Sequence, residues 1–133
     1  MKVRLFGDED VKEVSRWFKD VQWPLPPTAN LLPREGFIAE ADGVQLACAF
    51  LYTTGTSLGV ISWINTNPDV AEAAQKESLK AIILRIQDVA QNIKPAINQL
   101  VLHTKSDEFA KMLKDLDFKT HFGFHQATWV AKK

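Results

Sequence analysis

Apolar residues recur along this chain with two different periods, and the places where the period changes mark out its elements. Lys2 to Phe6 reads as a strand closed by Gly7. Asp8 follows as a candidate N-cap, with Glu9 and Asp10 complementing the positive end of a helix dipole. Val11, Val14, Phe18 and Val21 then recur at helical spacing, which predicts a helix through about residue 21. The run Trp23-Pro24-Leu25-Pro26-Pro27 ends it, because proline lacks an amide donor and biases the preceding residue away from helix. From there to Glu35 the chain is an irregular, apolar-rich loop, the best placed segment for a wall or lid over a binding site.

Gly36 to Ala41 reads as a strand, and Asp42-Gly43 is a two-residue hairpin turn that returns the chain through Val44 to Tyr52. A second turn at 53–57 leads into a third antiparallel strand, Leu58 to Asn65. After Asn67-Pro68 the period changes. Leu79, Ile82, Ile83, Ile86, Val89, Ala90 and Ile93 form a helical stripe, with Lys80, Arg85, Gln87, Asp88 and Gln91 opposite. Lys94-Pro95 stops this helix, and Leu100 to Leu102 is a short apolar strand of the kind covered on both faces. A strand, a crossover helix and a strand make a parallel unit. Ser106 then caps a further helix with Asp107 and Glu108 in its first turn and Phe109, Met112, Leu113 and Leu116 on its buried face. Phe118 to Ala131 reads as a last strand, with a break expected near Gly123. The order is β-α-β-β-β-α-β-α-β, an α/β chain (α+β, mixed sheet) that reads as a single domain over residues 1–133.

Composition narrows the chemistry. The 133 residues carry 16 basic and 16 acidic side chains, so no basic excess points to nucleic acid or an anionic membrane. No apolar run reaches the roughly 18 residues of a membrane span, and Met1-Lys2-Val3-Arg4 leads into a charged segment rather than a signal peptide. A cytoplasmic setting is the expectation. The single Cys48 lies in the apolar run Leu46 to Phe50 and reads as a buried structural thiol. His121 and His125, four residues apart on a straight strand, would stand roughly 13 Å from each other, too far to share zinc, and no other Cys/His spacing suggests a metal. Ser57 lacks the strand-to-helix Gly-x-Ser-x-Gly setting of a hydrolase. The four tryptophans are scattered; Trp23 in the proline-rich loop and Trp63 near the end of the third antiparallel strand are the better candidates for ligand contact.

Three runs carry a family resemblance. Leu32-Pro33-Arg34-Glu35-Gly36-Phe37-Ile38-Ala39-Glu40 leads into the Asp42-Gly43 hairpin and on to Ala49-Phe50-Leu51-Tyr52. Trp63-Ile64-Asn65-Thr66-Asn67-Pro68 ends the central strand, and Leu116-Asp117-Phe118 stands where Leu-Gly-Phe is common. With the element order, these resemble the GNAT acyl-CoA N-acyltransferase superfamily, in particular the small GNAT-like proteins of bacteriophages. The resemblance implies acetyl transfer from acetyl-CoA to an amine on a small molecule or protein. It implies that the central strand parts from its parallel neighbour, so that backbone at Ile64, Asn65 and Thr66 pairs with the pantetheine arm. It also implies that the coenzyme's diphosphate rests on the start of the following helix, at Glu72, Ala73, Ala74, Gln75 and Lys76, where free amides and the helix dipole favour an anion.

Several positions depart from the family pattern. No glycine occurs between Gly59 and Gly123, and Ala71, Ala74 and Lys76 fall where the phosphate loop has Gln/Arg, Gly and Gly/Ala. Gln75 and Lys76 offer side-chain donors in compensation. Ser106 stands where an asparagine is common, and Leu113 where a tyrosine acts as general acid. His103 is the only imidazole near the expected cleft and is the candidate proton acceptor. Glu40 and Tyr52 lie on the meander, and Trp23, Leu32, Arg34 and Tyr52 form the expected acceptor-side wall. The competing reading is a catalytically silent GNAT-fold interaction module that docks through Trp23, Leu25, Leu31 and Leu32. Exposed sheet edges leave a homodimer open under either reading.

Overall fold

A computed structural model of the chain describes residues 1–20, 24–104, 106–121 and 126–131; of His121 only the backbone is described. Strands β1 (Lys2–Leu5), β2 (Glu35–Ala41), β3 (Val44–Thr53), β4 (Leu58–Thr66), β5 (Gln99–His103), β6 (Lys119–His121) and β7 (Gln126–Val130) form one sheet. Its order is β1-β2-β3-β4-β5-β7-β6, with β4 and β5 parallel and the other pairs antiparallel. Helix α1 (Asp8–Trp17) packs on one face, and α2 (Glu72–Asn92) with α3 (Asp107–Asp115) on the other.

Strand alternation sorts the side chains between two cores. Phe37, Ala39, Ala47, Ala49 and Leu51 join Ile82, Ile83 and Ile86 under α2. Ile38, Cys48 and Phe50 meet Val14, Trp17 and Phe18 of the α1 layer. β3 is therefore apolar on both faces, which is why Leu46 to Leu51 reads as an unbroken run. Each fully buried isoleucine of α2 contributes about 1.5–3 kcal/mol of burial. The Asp42-Gly43 turn takes φ of 52° and 80°, the doubly positive pair that a tight two-residue hairpin requires.

The helix after β1 is capped differently from the sequence expectation. Gly7, not Asp8, is the N-cap, and Asp10 reaches back to accept the Gly7 amide at 2.9 Å. Asp8 is drawn away because its Oδ1 accepts the Ala29 amide at 2.9 Å. α1 ends at Trp17, with Phe18 as its C-cap, rather than near residue 21; Val21 lies outside the described residues. Gln87, expected on the polar face of α2, is buried and donates to the Leu116 carbonyl at 2.9 Å, tying α2 to the end of α3. The expected last strand is an antiparallel hairpin of β6 and β7. The expected His121–His125 spacing and the break expected near Gly123 fall on His125 and Gly123, which lie outside the described residues. Asp117 takes φ 67° where the related pattern has glycine, and the Phe118 amide returns to the Leu113 carbonyl at 3.0 Å in a left-handed helix termination.

Candidate functional site

The sheet splits at one place. β4 and β5 pair at Leu58↔Gln99, Gly59↔Leu100 and Val60↔Val101. Beyond that, the rest of β4 stays with β3, while Leu102 and His103 stay with β7. At the closed end, Gly59 leaves room for its neighbours: a Cβ there would stand 2.9 Å from Leu51, 3.1 Å from Leu100 and 3.2 Å from Ile97.

A bulge accompanies the split. Phe50 faces Ser62 and Cys48 faces Asn65, so Trp63 and Ile64 together oppose Ala49. Trp63 takes φ 53°, a left-handed conformation that costs a bulky residue about 1–3 kcal/mol. Three contacts hold it there. Its carbonyl accepts from Cys48 Sγ at 3.4 Å, its indole Nε1 donates to Tyr52 Oη at 2.7 Å, and its ring meets Phe18 edge-on at 6.0 Å between centroids. Burial pushes the Cys48 thiol well above its ordinary range, so the lone cysteine is an inert core group, as its sequence setting suggests.

Past the bulge, the Asn67 amide donates to the Leu46 carbonyl at 2.9 Å. Strand alternation then turns the peptide groups of Ile64 and Thr66 toward the gap and those of Asn65 toward β3. Asn65 contributes through its side chain instead: Nδ2 donates to the Trp17 carbonyl at 3.1 Å, and Oδ1 accepts the Thr66 amide at 2.8 Å. Buried Asn67 anchors the loop that follows, donating to the Gln45 carbonyl and accepting the Asp69 amide, both at 2.9 Å. This turn delivers the chain to α2 at the mouth of the gap.

The gap opens into a cleft of ≈ 570 Å³ between β4, α2, α3 and the end of β5, within the size range of small-molecule sites. Ile64, Asn65, Thr66, Glu72, Gln75, Lys76, His103 and Ser106, all singled out from the sequence, line it. Ala73 lies outside, on an adjoining groove, and Ala74 lines neither space. The N-cap of α2 is Ala71, which has no side-chain acceptor, and the first backbone bond of the helix is Gln75 N–H to the Ala71 carbonyl at 3.0 Å. Among the described residues the amides of Glu72, Ala73 and Ala74 meet no acceptor, an arrangement suited to an anion. Gln75 is committed within the loop: its Oε1 accepts from Thr66 Oγ1 at 3.1 Å and its Nε2 donates to the Val70 carbonyl at 3.0 Å. Ser106 Oγ accepts the Phe109 amide at 3.1 Å as the N-cap of α3, and its hydroxyl proton is free to be donated.

Of the expected acceptor-side wall, Leu32, Arg34 and Tyr52 do not line this cleft. Leu32 is buried in the α1-side core, because its loop folds down onto Val14 and Phe18. Arg34 is exposed, away from the cleft. Tyr52 shares the α1 face of β3 with Cys48 and Phe50 and spends its hydroxyl on Trp63. Trp23 lies outside the described residues. Glu40 is held by Arg4, Nε to Oε1 at 3.1 Å, and by Lys2 at 3.9 Å. Among the described residues of the surface expected for an interaction module, Leu25 and Leu32 are buried and Leu31 is exposed. Leu113 is fully buried, which leaves the position of the usual acid as core. Phe18 was read as core from its helical spacing; it also closes the cleft on the α1 side, together with Leu79, Phe109 and Met112, which only the tertiary arrangement brings there.

No family model matches the chain, and no curated protein is matched by its sequence. Solved structures match its fold. N-acetylglutamate synthase from Neisseria gonorrhoeae, complexed with coenzyme A and L-arginine, has a TM-score of 0.76 at 17% identity over 99% of this chain and 33% of its own. Ard1 from Thermoplasma volcanium has a TM-score of 0.75 at 11% identity, covering 99% of this chain and 98% of that one. The ribosomal-protein-S18-alanine N-acetyltransferase from Escherichia coli has a TM-score of 0.67 at 10% identity, covering 99% and 95%. The chain spans about a third of the length of the N-acetylglutamate synthase chains it matches, at 33% and 36%. The mixed sheet with its three helices is the GNAT acyltransferase fold.

Proposed function

We propose that the chain transfers the acetyl group of acetyl-CoA to an amine. The observation that carries this reading is the split between β4 and β5, with the open amides of α2 at its mouth. A pantetheine arm laid along Ile64 and the Thr66 carbonyl, the Thr66 amide being held by Asn65 Oδ1, extends the sheet across the gap, and the diphosphate meets the amides of Glu72 to Ala74 with Lys76 beside them. The thioester is already activated, so holding it in line with an incoming amine supplies much of the rate. The neutral amine attacks the carbonyl carbon, forming the C–N bond; the C–S bond then breaks, and coenzyme A leaves as its thiolate. The proton lost by the amine passes to His103 at the end of β5, and the thiolate is reprotonated from solvent or by the Ser106 hydroxyl.

The acceptor is an amine on a small molecule or a protein. Kinship with bacteriophage proteins of this fold, a cytoplasmic setting and pairing of two copies through free sheet edges belong to the same reading and rest on the sequence runs. Among the described residues no helix is long and apolar enough to cross a membrane.

Two measurements test the proposal. Acetyl-CoA at 100 times its dissociation constant raises stability by about 2.7 kcal/mol, read as a shift in melting temperature. Release of free coenzyme A thiol, followed against a panel of polyamines, amino acids and peptide amino termini, identifies the acceptor. His103→Ala lowers turnover by about a hundredfold with little change in acetyl-CoA affinity. Absence of any thermal shift at saturating acetyl-CoA overturns the reading and favours the silent module.

A further inference from the structure

The cleft runs through the sheet. Leu79 and Met112 line it on the side of α2 and α3, and Phe18, from the α1 layer, bounds it on the other. A donor entering at the start of α2 fills the first side, so the nucleophile reaches the thioester from the second, past Phe18. The make-up of that second side therefore bears on which amines are accepted.

Two aromatic residues stand there. Trp63 directly precedes Ile64, which lines the cleft, and packs with the α1-side core against Phe18. Its indole Nε1 donates to Tyr52 Oη at 2.7 Å, which sets the two rings side by side. Tyr52 is exposed and Trp63 half-buried, so the pair presents aromatic surface to solvent. The ladders continue this surface: Tyr52 lies opposite Val60 and Val60 opposite Val101, and partners across a ladder point to the same face. Val60 and Val101 belong to neither core and are half-exposed. Two residues beyond Val101, on the same face, His103 stands at the rim of the cleft. An aromatic pair thus occupies the β4 rim of the split and an imidazole the β5 rim. Trp63 also keeps its bulky ring in a left-handed conformation that glycine takes without strain. Strain retained beside a cleft points to a use for the side chain.

We propose that Trp63 and Tyr52 hold the acceptor, and that they select an amine joined by a short chain to an aromatic ring. This rests on the acetyl-CoA reading and adds to it the chemical class of the acceptor. The acceptor's ring lies against the indole and the phenol, where offset or edge-to-face contact adds to the area buried. Its amino group then points into the split, toward the thioester carbonyl and His103. The nitrogen bonds to the carbonyl carbon, sulfur leaves with the electron pair of the C–S bond, and His103 takes the proton lost by the amine. The floor of Val60 and Val101 suits an apolar body; it desolvates a second ammonium or a carboxylate at a cost, which sets polyamines and amino acids at a disadvantage.

The experiment measures kcat and KM, by release of coenzyme A thiol, for phenethylamine, cyclohexylethylamine and spermidine. It uses the intact chain and the variants Trp63→Ala, Trp63→Phe and Tyr52→Ala. Cyclohexylethylamine matches phenethylamine in size but has no π face, and the intact chain favours phenethylamine over it about fivefold in kcat/KM. Trp63→Ala raises the KM for phenethylamine about tenfold with little change in kcat, and Trp63→Phe restores most of the loss. The melting shift with acetyl-CoA, read on each variant, shows that fold and donor site survive; Tyr52→Ala, at an exposed position, repeats the test should Trp63→Ala fail to fold. Parity of phenethylamine and cyclohexylethylamine, a preference for spermidine, or equal losses on all the amines in Trp63→Ala overturns the inference and leaves acetyl transfer standing. Acetyl-CoA binding without turnover of phenethylamine overturns it as well. No melting shift with acetyl-CoA on the intact chain sinks the acetyl-CoA reading itself.

Discussion

Giving α2 the cap it lacks sets stability against ligand binding. Ala71 holds the N-cap with φ −58° and ψ 145°, an extended geometry open to a capping side chain, but its methyl group accepts nothing. Ala71→Asp supplies an acceptor for the second or third amide of the helix and a charge favoured by its dipole. Replacing alanine by aspartate at an N-cap is worth about 0.5–2 kcal/mol. In a domain of 133 residues that amounts to roughly 2–8 °C in melting temperature. The same carboxylate occupies the place and opposes the charge of the diphosphate. At about 5 Å the repulsion is about 1–3 kcal/mol between aqueous and interfacial screening, or roughly five- to 150-fold in acetyl-CoA affinity. The two effects have opposite signs in one assay: the free variant melts higher than the parent, and its shift with acetyl-CoA shrinks. Ala71→Ser, which caps without charge, gives the first effect and a smaller second one. A variant that melts higher yet keeps the full acetyl-CoA shift would refute the placement of the phosphates on these amides. One that gains no stability would show that the amides already have acceptors.

Other consequences can be checked on the free protein. Asp10 is fully buried; burial works to raise its carboxyl, but Arg4 at 2.7 and 2.8 Å, the Gly7 amide and Gln45 outweigh this and hold it below the usual carboxylate value. Its stabilisation is therefore present above the unfolded value of about 3.9 and is lost as pH falls through the lower native one. Asp10→Asn costs about 2–3 kcal/mol near neutrality, and its deficit in melting temperature narrows below about pH 4. A deficit constant across that range counts against the pair. Gln87→Ala leaves the buried Leu116 carbonyl unpaired and costs about 1–3 kcal/mol by denaturant titration, with acetyl-CoA affinity unchanged. Cys48 does not react with an aromatic disulfide reagent in the native protein and reacts once the chain is unfolded in guanidinium; rapid native labelling would contradict its burial.

The parts of the fold legible in the sequence are those fixed by local chemistry. Asp42-Gly43 requires positive φ at both positions, and the stripe from Ile82 to Ala90 fits no period but the helical one. Ser106 caps α3 as its hydroxyl and the acidic turn behind it suggest. What escaped depends on distant partners. Asp10 read as an acid complementing the helix dipole, and only the pairing of β1 with β2 brings Arg4 and Gln45 around it. Gln87 looked solvated, because nothing local says that Leu116 ends its helix against it. The bulge has no local signature, since tryptophan resists the conformation Trp63 adopts; it is imposed by Cys48, Tyr52 and Phe18 together. For the cleft, the resemblance located the strand end and the helix start. Leu32 and Tyr52 do not line the cleft, because whether they face the gap or the α1 core is decided by how the loop folds and by strand alternation.

The packing around Gly59 acts as a fulcrum. Three aliphatic side chains clamp the narrow end of the wedge within 3.2 Å of where a methyl group would sit, so the two strands cannot be levered farther apart without unpacking the core. Phe18 stands across the far opening. Room for a longer acyl chain in the cleft would therefore come from the movable side chains of its lining, the Phe18 ring of the first helix layer among them, rather than from wider parting of the sheet.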